Sequence, residues 1–300
     1  MRAVTLAGPG GVGDLSLGEV AVPRPGPGEA LVRVHAAAIT RGELEWPVDR
    51  LPAIPSHELS GVVAEVGSGV AHVTVGDEVY ALTAFDRDGV AAEYAVVPSV
   101  LLAAKPRTLD HVGAATIPMG ALTAWQGLFD RGGLVEGQRV MVVGATGGVG
   151  RFATQLARWR GATVVAVVSA AKVDLARELG ADEIVDRAGA DPRSIEPVDL
   201  VFDTAGGDAV TIAASCVRPG GSLVSIAEDP PSEVRDRVPS TYFIVEPDRD
   251  QLVEIGGLVD RDLVRPAIDA VFSLDDAPAA FERSLRPDTI GKIVIRVVDA

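Results

Sequence analysis

A single cysteine, Cys216, in 300 residues leaves no disulfide partner within the chain and removes any thiolate cluster that could hold a metal. Basic residues are also scarce: 27 Lys and Arg stand against 42 Asp and Glu, a formal net charge of −15. A surface of that sign repels a phosphate backbone, and no basic run offsets it, so nucleic acid is not an expected partner. Apolar runs fall well short of the ~20 residues that span a bilayer, and Met1-Arg2-Ala3-Val4 does not open a basic region followed by an apolar stretch of signal length. The expectation is a cytoplasmic protein without a membrane partner. Hydrophobic residues reach 47%, enough at this length for a large core, and two domains are expected.

From Arg2 to about Pro106, short apolar runs such as Ala30 to Val34, Gly61 to Val66 and Glu93 to Val97 are broken by glycine and proline, a strand-and-turn texture. Pro23, Pro25 and Pro27, interleaved with Gly26 and Gly28, mark a rigid connection between the first two strands. After Pro106 strands and helices alternate. Val140 to Val143 precedes a helix from about Gly148 to Arg160, and Thr163 to Val168 precedes one from about Ala171 to Leu179. Leu200 to Phe202 and Ser222 to Ile226 are further all-apolar strands, which implies a parallel sheet covered on both faces. Glu228 to Pro239, rich in proline and charge, is expected to be an exposed loop. The tail, Gly291 to Val298, is a strand that could return to the first domain.

One turn carries chemistry. Val140-Met141-Val142-Val143 runs directly into Gly144-Ala145-Thr146-Gly147-Gly148-Val149-Gly150, and Phe152, Gln155, Leu156 and Trp159 follow with helical spacing. Glycines in such a strand-turn-helix allow the tight turn and let backbone approach a pyrophosphate, whose charge the helix N-terminus favours. A dinucleotide cofactor is therefore expected at Gly144, Ala145, Thr146, Gly147, Gly148, Val149 and Gly150. An NAD site places Asp or Glu about 20 residues further on to bind the ribose hydroxyls. Here the second strand ends in Ser169, with Lys172 after it. A hydroxyl and an ammonium suit a 2′-phosphate that a carboxylate would repel, so NADP(H) is the expected cofactor.

The chain resembles the medium-chain dehydrogenase/reductase superfamily, and within it the zinc-independent quinone oxidoreductase branch. The resemblance is carried by the glycine turn, Pro27 to Val34, Ala36 to Leu44, Pro55 to Val63, Val75 to Val79, Leu122 to Trp125, Leu179 to Asp182 and Gly291 to Val294. It implies an α/β protein with a GroES-like β-rich substrate domain, expected at 1–106 and 266–300, and a doubly wound Rossmann NADP(H)-binding domain at 107–265. It also implies a cleft where nicotinamide meets substrate. Thr204, Ala205 and Ile226 are implied cofactor neighbours, Trp46, His57, Tyr242 and Phe243 implied members of the substrate pocket, and Thr40 and Thr123 implied catalytic hydroxyls. Thr40 stands where the branch usually has asparagine, in an Asn-x-x-Asp pattern that reads Thr40-Arg41-Gly42-Glu43 here. The segment from Leu44 to Pro52 is shorter than usual. Relatives also dimerise through an edge strand, for which Ser240 to Glu246 is the candidate, so a homodimer is expected.

Zinc-dependent relatives hold a metal at three separated places, which fall here at Thr40, His57 and near Met119. A hydroxyl, an imidazole and a thioether do not match the three N, S or O ligands that catalytic zinc needs, so no metal is expected. Without a Lewis acid, alcohol oxidation is a harder fit than hydride delivery to a small-molecule quinone or other α,β-unsaturated carbonyl. An enoyl thioester reductase of a biosynthetic pathway and a non-catalytic NADPH-binding sensor or structural partner stay open as alternatives.

Overall fold

The computed structural model describes residues 1–9, 11–47, 51–189 and 194–298. The chain divides into two compact units, Met1–Met119 with Pro247–Ala300, and Gly120–Glu246.

In the first unit, β1 (Arg2–Leu6) pairs antiparallel with β2 (Leu15–Glu19). Strand β2 escapes the sequence pattern because its two leucines are followed at once by Gly18, too short an alternation to stand out. The proline-rich segment therefore joins the second and third strands, not the first two. The third, β3 (Glu29–Ile39), is the long central strand, followed by β4 (Glu58–Val66), β5 (Glu78–Leu82), β6 (Tyr94–Pro98) and β7 (Ala103–Ala104). Val32 and Val34, two residues apart and so on one face of β3, pack with Leu59, Val63 and Phe281 in the unit's core. Helix α1 (His111–Ala115) starts at Asp110, whose carboxylate accepts from the Gly113 N–H, and α2 (Pro118–Trp125) follows, its first two residues in this unit and the rest in the second.

In the second unit strands and helices alternate except between β10 and β11: β8 (Arg139–Val143), α3 (Gly150–Trp159), β9 (Thr163–Val168), α4 (Val173–Glu178), β10 (Glu183–Asp186), β11 (Val198–Asp203), α5 (Asp208–Ala214) and β12 (Val217–Ser225). Its sheet is wholly parallel, in the order β10-β9-β8-β11-β12 and then β13 (Ser240–Tyr242). Counted from β8 this is 3-2-1-4-5-6, the doubly wound order. The stretch expected as an exposed loop contains α6 (Ser232–Arg235), where Val234 and Val238, four residues apart, bury into the sheet's core cluster. The charged residues around this two-point anchor hide it in the sequence.

The chain then returns to the first unit through α7 (Arg249–Asp260), β14 (Ile268–Ser273), α8 (Ala277–Ser284) and β15 (Lys292–Arg296). The Tyr80 hydroxyl donates to the Leu252 carbonyl at 2.5 Å and so ties α7 to β5; residues 107–119 and 247–265 thus cluster with this unit. One edge of β3 is covered by β4. The other edge is shared, with β6 on Glu29–Arg33 and β15, antiparallel, on Ala36–Ile39. Among the described residues no helix is long and apolar enough to cross a membrane.

Candidate functional site

In the second unit β8 delivers the chain to Gly144, which turns it at φ 77°, a left-handed value that glycine adopts without strain. A Cβ there would stand 2.8 Å from the Thr204 hydroxyl. At the far end of the turn Gly150 opens α3, so close to the turn that a Cβ would overlap the Gly144 carbonyl oxygen and lie 2.8 Å from its carbon and 2.9 Å from Ala145 Cα. Between them Ala145 and Thr146 are buried and Val149 half-buried, whereas Gly147 and Gly148 are exposed. A Cβ on Gly148 would meet nothing within 4 Å. The turn therefore has a packed floor and an open lip, which is what close approach of a pyrophosphate requires.

The strand order reverses between β8 and β11, and ligands of such sheets bind at the carboxyl ends of the strands at that switch point. The residues after β11 are held there by Asp203, buried at its end. Its Oδ1 accepts from the N–H groups of Ala205 (3.1 Å) and Gly206 (3.0 Å), and its Oδ2 from the Ser225 hydroxyl (2.8 Å). The Thr204 hydroxyl donates to the Val143 carbonyl at 2.7 Å, and Ile226 N–H to the Asp203 carbonyl at 3.1 Å. Thr204 and Ala205 are thus brought beside the glycine turn, and Ile226 beside Asp203. Asp203 is a positioning residue outside the expected set; an acid closing the apolar run Leu200 to Phe202 is its signal in the sequence.

Ser169 precedes, and Lys172 ends, a short 3-10 turn, Ala170–Lys172, after β9, the strand that pairs with β8. Both are half-buried, and among the described residues neither side chain has a partner. Arg151, in the first turn of α3, was not anticipated. It is only 7% exposed, its Nε and Nη1 have no hydrogen-bond partner, and burial lowers its pKa. Its guanidinium is thus a buried cation on the first turn of the helix that Gly150 opens. The packed floor, open lip and orphaned cation fit a dinucleotide.

In the first unit the antiparallel register brings three chain segments to one end of the sheet. Ala38 on β3 stands opposite Glu58 at the start of β4, and Ile39 opposite Ile293 at the start of β15. Thr40, Glu58 and Lys292 therefore meet. The Lys292 ammonium is ion-paired with Glu58 Oε2 and donates to Thr40 Oγ1 at 3.1 Å, while Thr40 Oγ1 donates to Glu58 Oε2 at 3.2 Å. Glu58 Oε1 accepts from the Met119 N–H at 2.9 Å. Glu58 is 0% and Lys292 8% exposed, whereas Thr40 is half-buried.

Glu43 locks the same corner. Its carboxylate accepts from Thr40 N–H at 2.9 Å, from Ser56 N–H at 3.1 Å and from the Ser56 hydroxyl at 3.3 Å. The Thr40-x-x-Glu43 spacing lets the acid reach back to the backbone at the start of the turn, as in a capping box. Burial pushes Glu43 up to about 7 despite these bonds and the charge of Lys292. Ser56 sits at φ 66°, unusual for a residue with a Cβ, and its two bonds to Glu43 hold it there.

His57 stacks on Trp46 at 6.4 Å between ring centroids, and Phe85 meets both edge-on at 5.2 and 5.6 Å. Phe85 is an unpredicted member of this group. Burial holds the His57 imidazole down at about 4 against the Ala84 carbonyl and Asp88, so the ring is neutral at physiological pH. Its Nδ1 lies 3.2 Å from the Thr83 hydroxyl. Residues 48–50 of the shortened segment lie outside the described residues. Thr123 is buried within α2, Phe243 is buried with the Arg131 guanidinium 5.9 Å from its ring centroid, and Tyr242 is exposed on β13. The expected pocket residues therefore fall into two sets, Trp46 and His57 in the first unit, Tyr242 and Phe243 in the second.

The donor set for a metal is poor. Among the described residues no three His, Cys, Asp or Glu side chains converge, and the Lys292 ammonium already neutralises Glu58 beside Thr40. The residues at the expected places do not fit zinc, which takes three N, S or O ligands and would be repelled by that ammonium.

Comparison with known proteins places this geometry in a family. Residues 26–107 match the alcohol dehydrogenase GroES-like domain and residues 179–295 the family described as zinc-binding dehydrogenase. A probable zinc-binding oxidoreductase, mitochondrial, of Arthroderma benhamiae is 33% identical over 92% of this chain and 92% of that protein. The NADPH-dependent alkenal/one oxidoreductase, chloroplastic, of Arabidopsis thaliana is 30% identical over 98% of this chain and 79% of that protein. The structure of the quinone oxidoreductase from Coxiella burnetii superposes with a TM-score of 0.91 at 28% identity, covering 99% of each chain. With the parallel sheet, the glycine turn and the GroES-like unit all in place, the chain belongs to the medium-chain dehydrogenase/reductase superfamily and is an oxidoreductase of its quinone oxidoreductase-like branch.

Proposed function

We propose that the protein is a zinc-independent, NADPH-dependent reductase of quinones or other α,β-unsaturated carbonyls. The observation that carries the reading is the end of β9, where, among the described residues, Ser169 and Lys172 stand unpartnered in place of an acid. NADPH, when bound, supplies the hydride. Backbone N–H groups at the open lip, Gly148 and Val149, and the α3 dipole hold its pyrophosphate, Arg151 adds positive charge, and Ser169 with Lys172 takes the 2′-phosphate. The poor zinc donor set supports acceptors that need only hydride and a proton. Alcohols, which need a Lewis acid or a base, are less well served. The names of the alkenal/one and quinone oxidoreductase relatives point the same way.

Loss of absorbance at the nicotinamide band with a panel of quinones and enones tests the reading, and no turnover of any acceptor overturns it. An enoyl thioester reduced orders of magnitude faster would make the protein an enoyl reductase instead. Tight NADPH binding with no acceptor and a co-purifying partner would make it a sensor. For the cofactor, Lys172→Ala is expected to raise the NADPH Kd roughly tenfold to a hundredfold, the worth of a charge-assisted hydrogen bond, and to leave NADH nearly unchanged. Equal losses for both, read by fluorescence titration, would remove the phosphate role of Lys172.

The reading includes a homodimer in the cytoplasm, where a reducing environment suits the free thiol of Cys216. The second copy docks at β13, an edge strand that carries Tyr242 and leads to Ile244, 42% and 65% exposed. Sedimentation of the intact chain is expected to give the mass of two copies, and a single-copy mass at micromolar concentration would refute this arrangement.

A further inference from the structure

A Lys–Glu pair this deeply buried calls for a reason other than stability. Removing both charges from water costs several kcal/mol per ion, and well-packed apolar residues serve a core as well or better. The pair is also not closed on itself. Among the described residues its half-exposed hydrogen-bond partner is the Thr40 hydroxyl, which accepts from the Lys292 ammonium and donates to Glu58 over a long 3.2 Å. Hydroxyl bonds normally lie near 2.7–2.8 Å, so this one is weak. Glu58 keeps Lys292 and the Met119 N–H if Thr40 turns its proton away. Thr40 is thus a hydroxyl polarised from behind by a buried cation, free to redirect its proton to a ligand. Its backbone is fixed by Glu43, which also fixes Ser56, the residue before His57. The aromatic pair Trp46 and His57, suited to one face of a flat conjugated molecule, is therefore carried on the same two segments as Thr40 and Glu58.

We propose that Lys292, Glu58 and Thr40 form a metal-free oxyanion site in the first unit, in which the Lys292 ammonium acts through the Thr40 hydroxyl on the carbonyl oxygen of an unsaturated substrate. The inference rests on the reductase reading above. Hydride addition at the β carbon moves the C=C electron pair toward the carbonyl and leaves charge on its oxygen. Thr40 Oγ–H donates to that oxygen and transfers its proton, Lys292 Nζ–H restores the proton on Oγ, and water recharges the lysine. The acceptor gains one hydride and one proton, and the resulting enol becomes the ketone in water. Thr40 is the catalytic group, Lys292 and Glu58 are positioning residues, and the ammonium supplies the positive charge that a metal would otherwise bring.

The test is steady-state kinetics of the full chain with an enone. Thr40→Val, close to isosteric, is expected to lower kcat about 10²-fold or more, the usual cost of one oxyanion donor, with KM, NADPH Kd and thermal midpoint little changed. Lys292→Arg keeps a donor and a charge and is expected to retain much of the activity. The neutral pair Lys292→Met with Glu58→Gln is expected to fall as far as Thr40→Val, and adding Thr40→Val to it to cost nothing further. An enone-reducing parent whose Thr40→Val variant keeps kcat within threefold would overturn the oxyanion site and leave the reductase standing. A parent that turns over no acceptor overturns both.

Discussion

Gly150→Ala is expected to abolish measurable NADPH binding and to lower the thermal midpoint, whereas Gly148→Ala is expected to weaken NADPH while leaving the midpoint unchanged. The two glycines are two residues apart but face different demands. A methyl on Gly150 meets backbone, the Gly144 carbonyl and Ala145 Cα, and none of these can swing aside as a side chain could. The turn must open, and overpacking of that kind costs about 1–3 kcal/mol, or roughly 2–5 °C in a chain of this size. The N–H groups aimed at the pyrophosphate move with it. A methyl on Gly148 meets no protein atom within 4 Å, so folding is indifferent to it, but it occupies the open lip where the pyrophosphate lies in the proposed complex. Scanning calorimetry with and without NADPH separates the two effects. If Gly148→Ala binds NADPH as the parent does, the lip is not the phosphate site.

Lys292→Met is expected to destabilise the protein by about 3–5 kcal/mol, because it strands the fully buried Glu58 carboxylate without its cation. Adding Glu58→Gln should recover most of that loss. The amide still accepts from the Met119 N–H and can donate to Thr40, and it carries no charge to desolvate. Urea unfolding of the three chains reads the result. Equal stability of the single and double variants would mean that Lys292 contributes chain packing and not charge. The double variant is also the folded, cation-free enzyme on which the kinetic role of Lys292 can be measured.

The parts of the site that a reader of the sequence could find are those whose meaning is local. Strand, glycine turn and helix lie within about twenty residues, and their geometry follows from φ preference, apolar runs and helical spacing alone. Ser169 and Lys172 are legible for the same reason, since one strand length from Gly150 leads to them. The misses are short or hidden elements: β2, cut off by Gly18, and α6, whose buried Val234, with Val238 just beyond it, sits among prolines and charges. Arg151 was passed over because a basic residue in a helix is ordinarily solvated, and only burial shows it without a partner.

The corner formed by Thr40, Glu43, Ser56, Glu58 and Lys292 is the opposite case. Glu58 and Lys292 stand within segments that resemble the family, but 234 residues separate them and nothing in either segment names the other. Their meeting depends on β3 being paired by β4 on one edge and by β15 on the other, in registers set by which faces must be buried. The sequence by itself determined the glycine turn, the strand before it and the helix after it, and the single cysteine. Tertiary structure alone decided that an ammonium stands beside Thr40 and Glu58, that Glu43 is buried and pushed up to about 7, and that His57 is neutral. The physical reason is that a charge takes its state and its partners from burial and long-range pairing, and neither is written in any one segment of the chain.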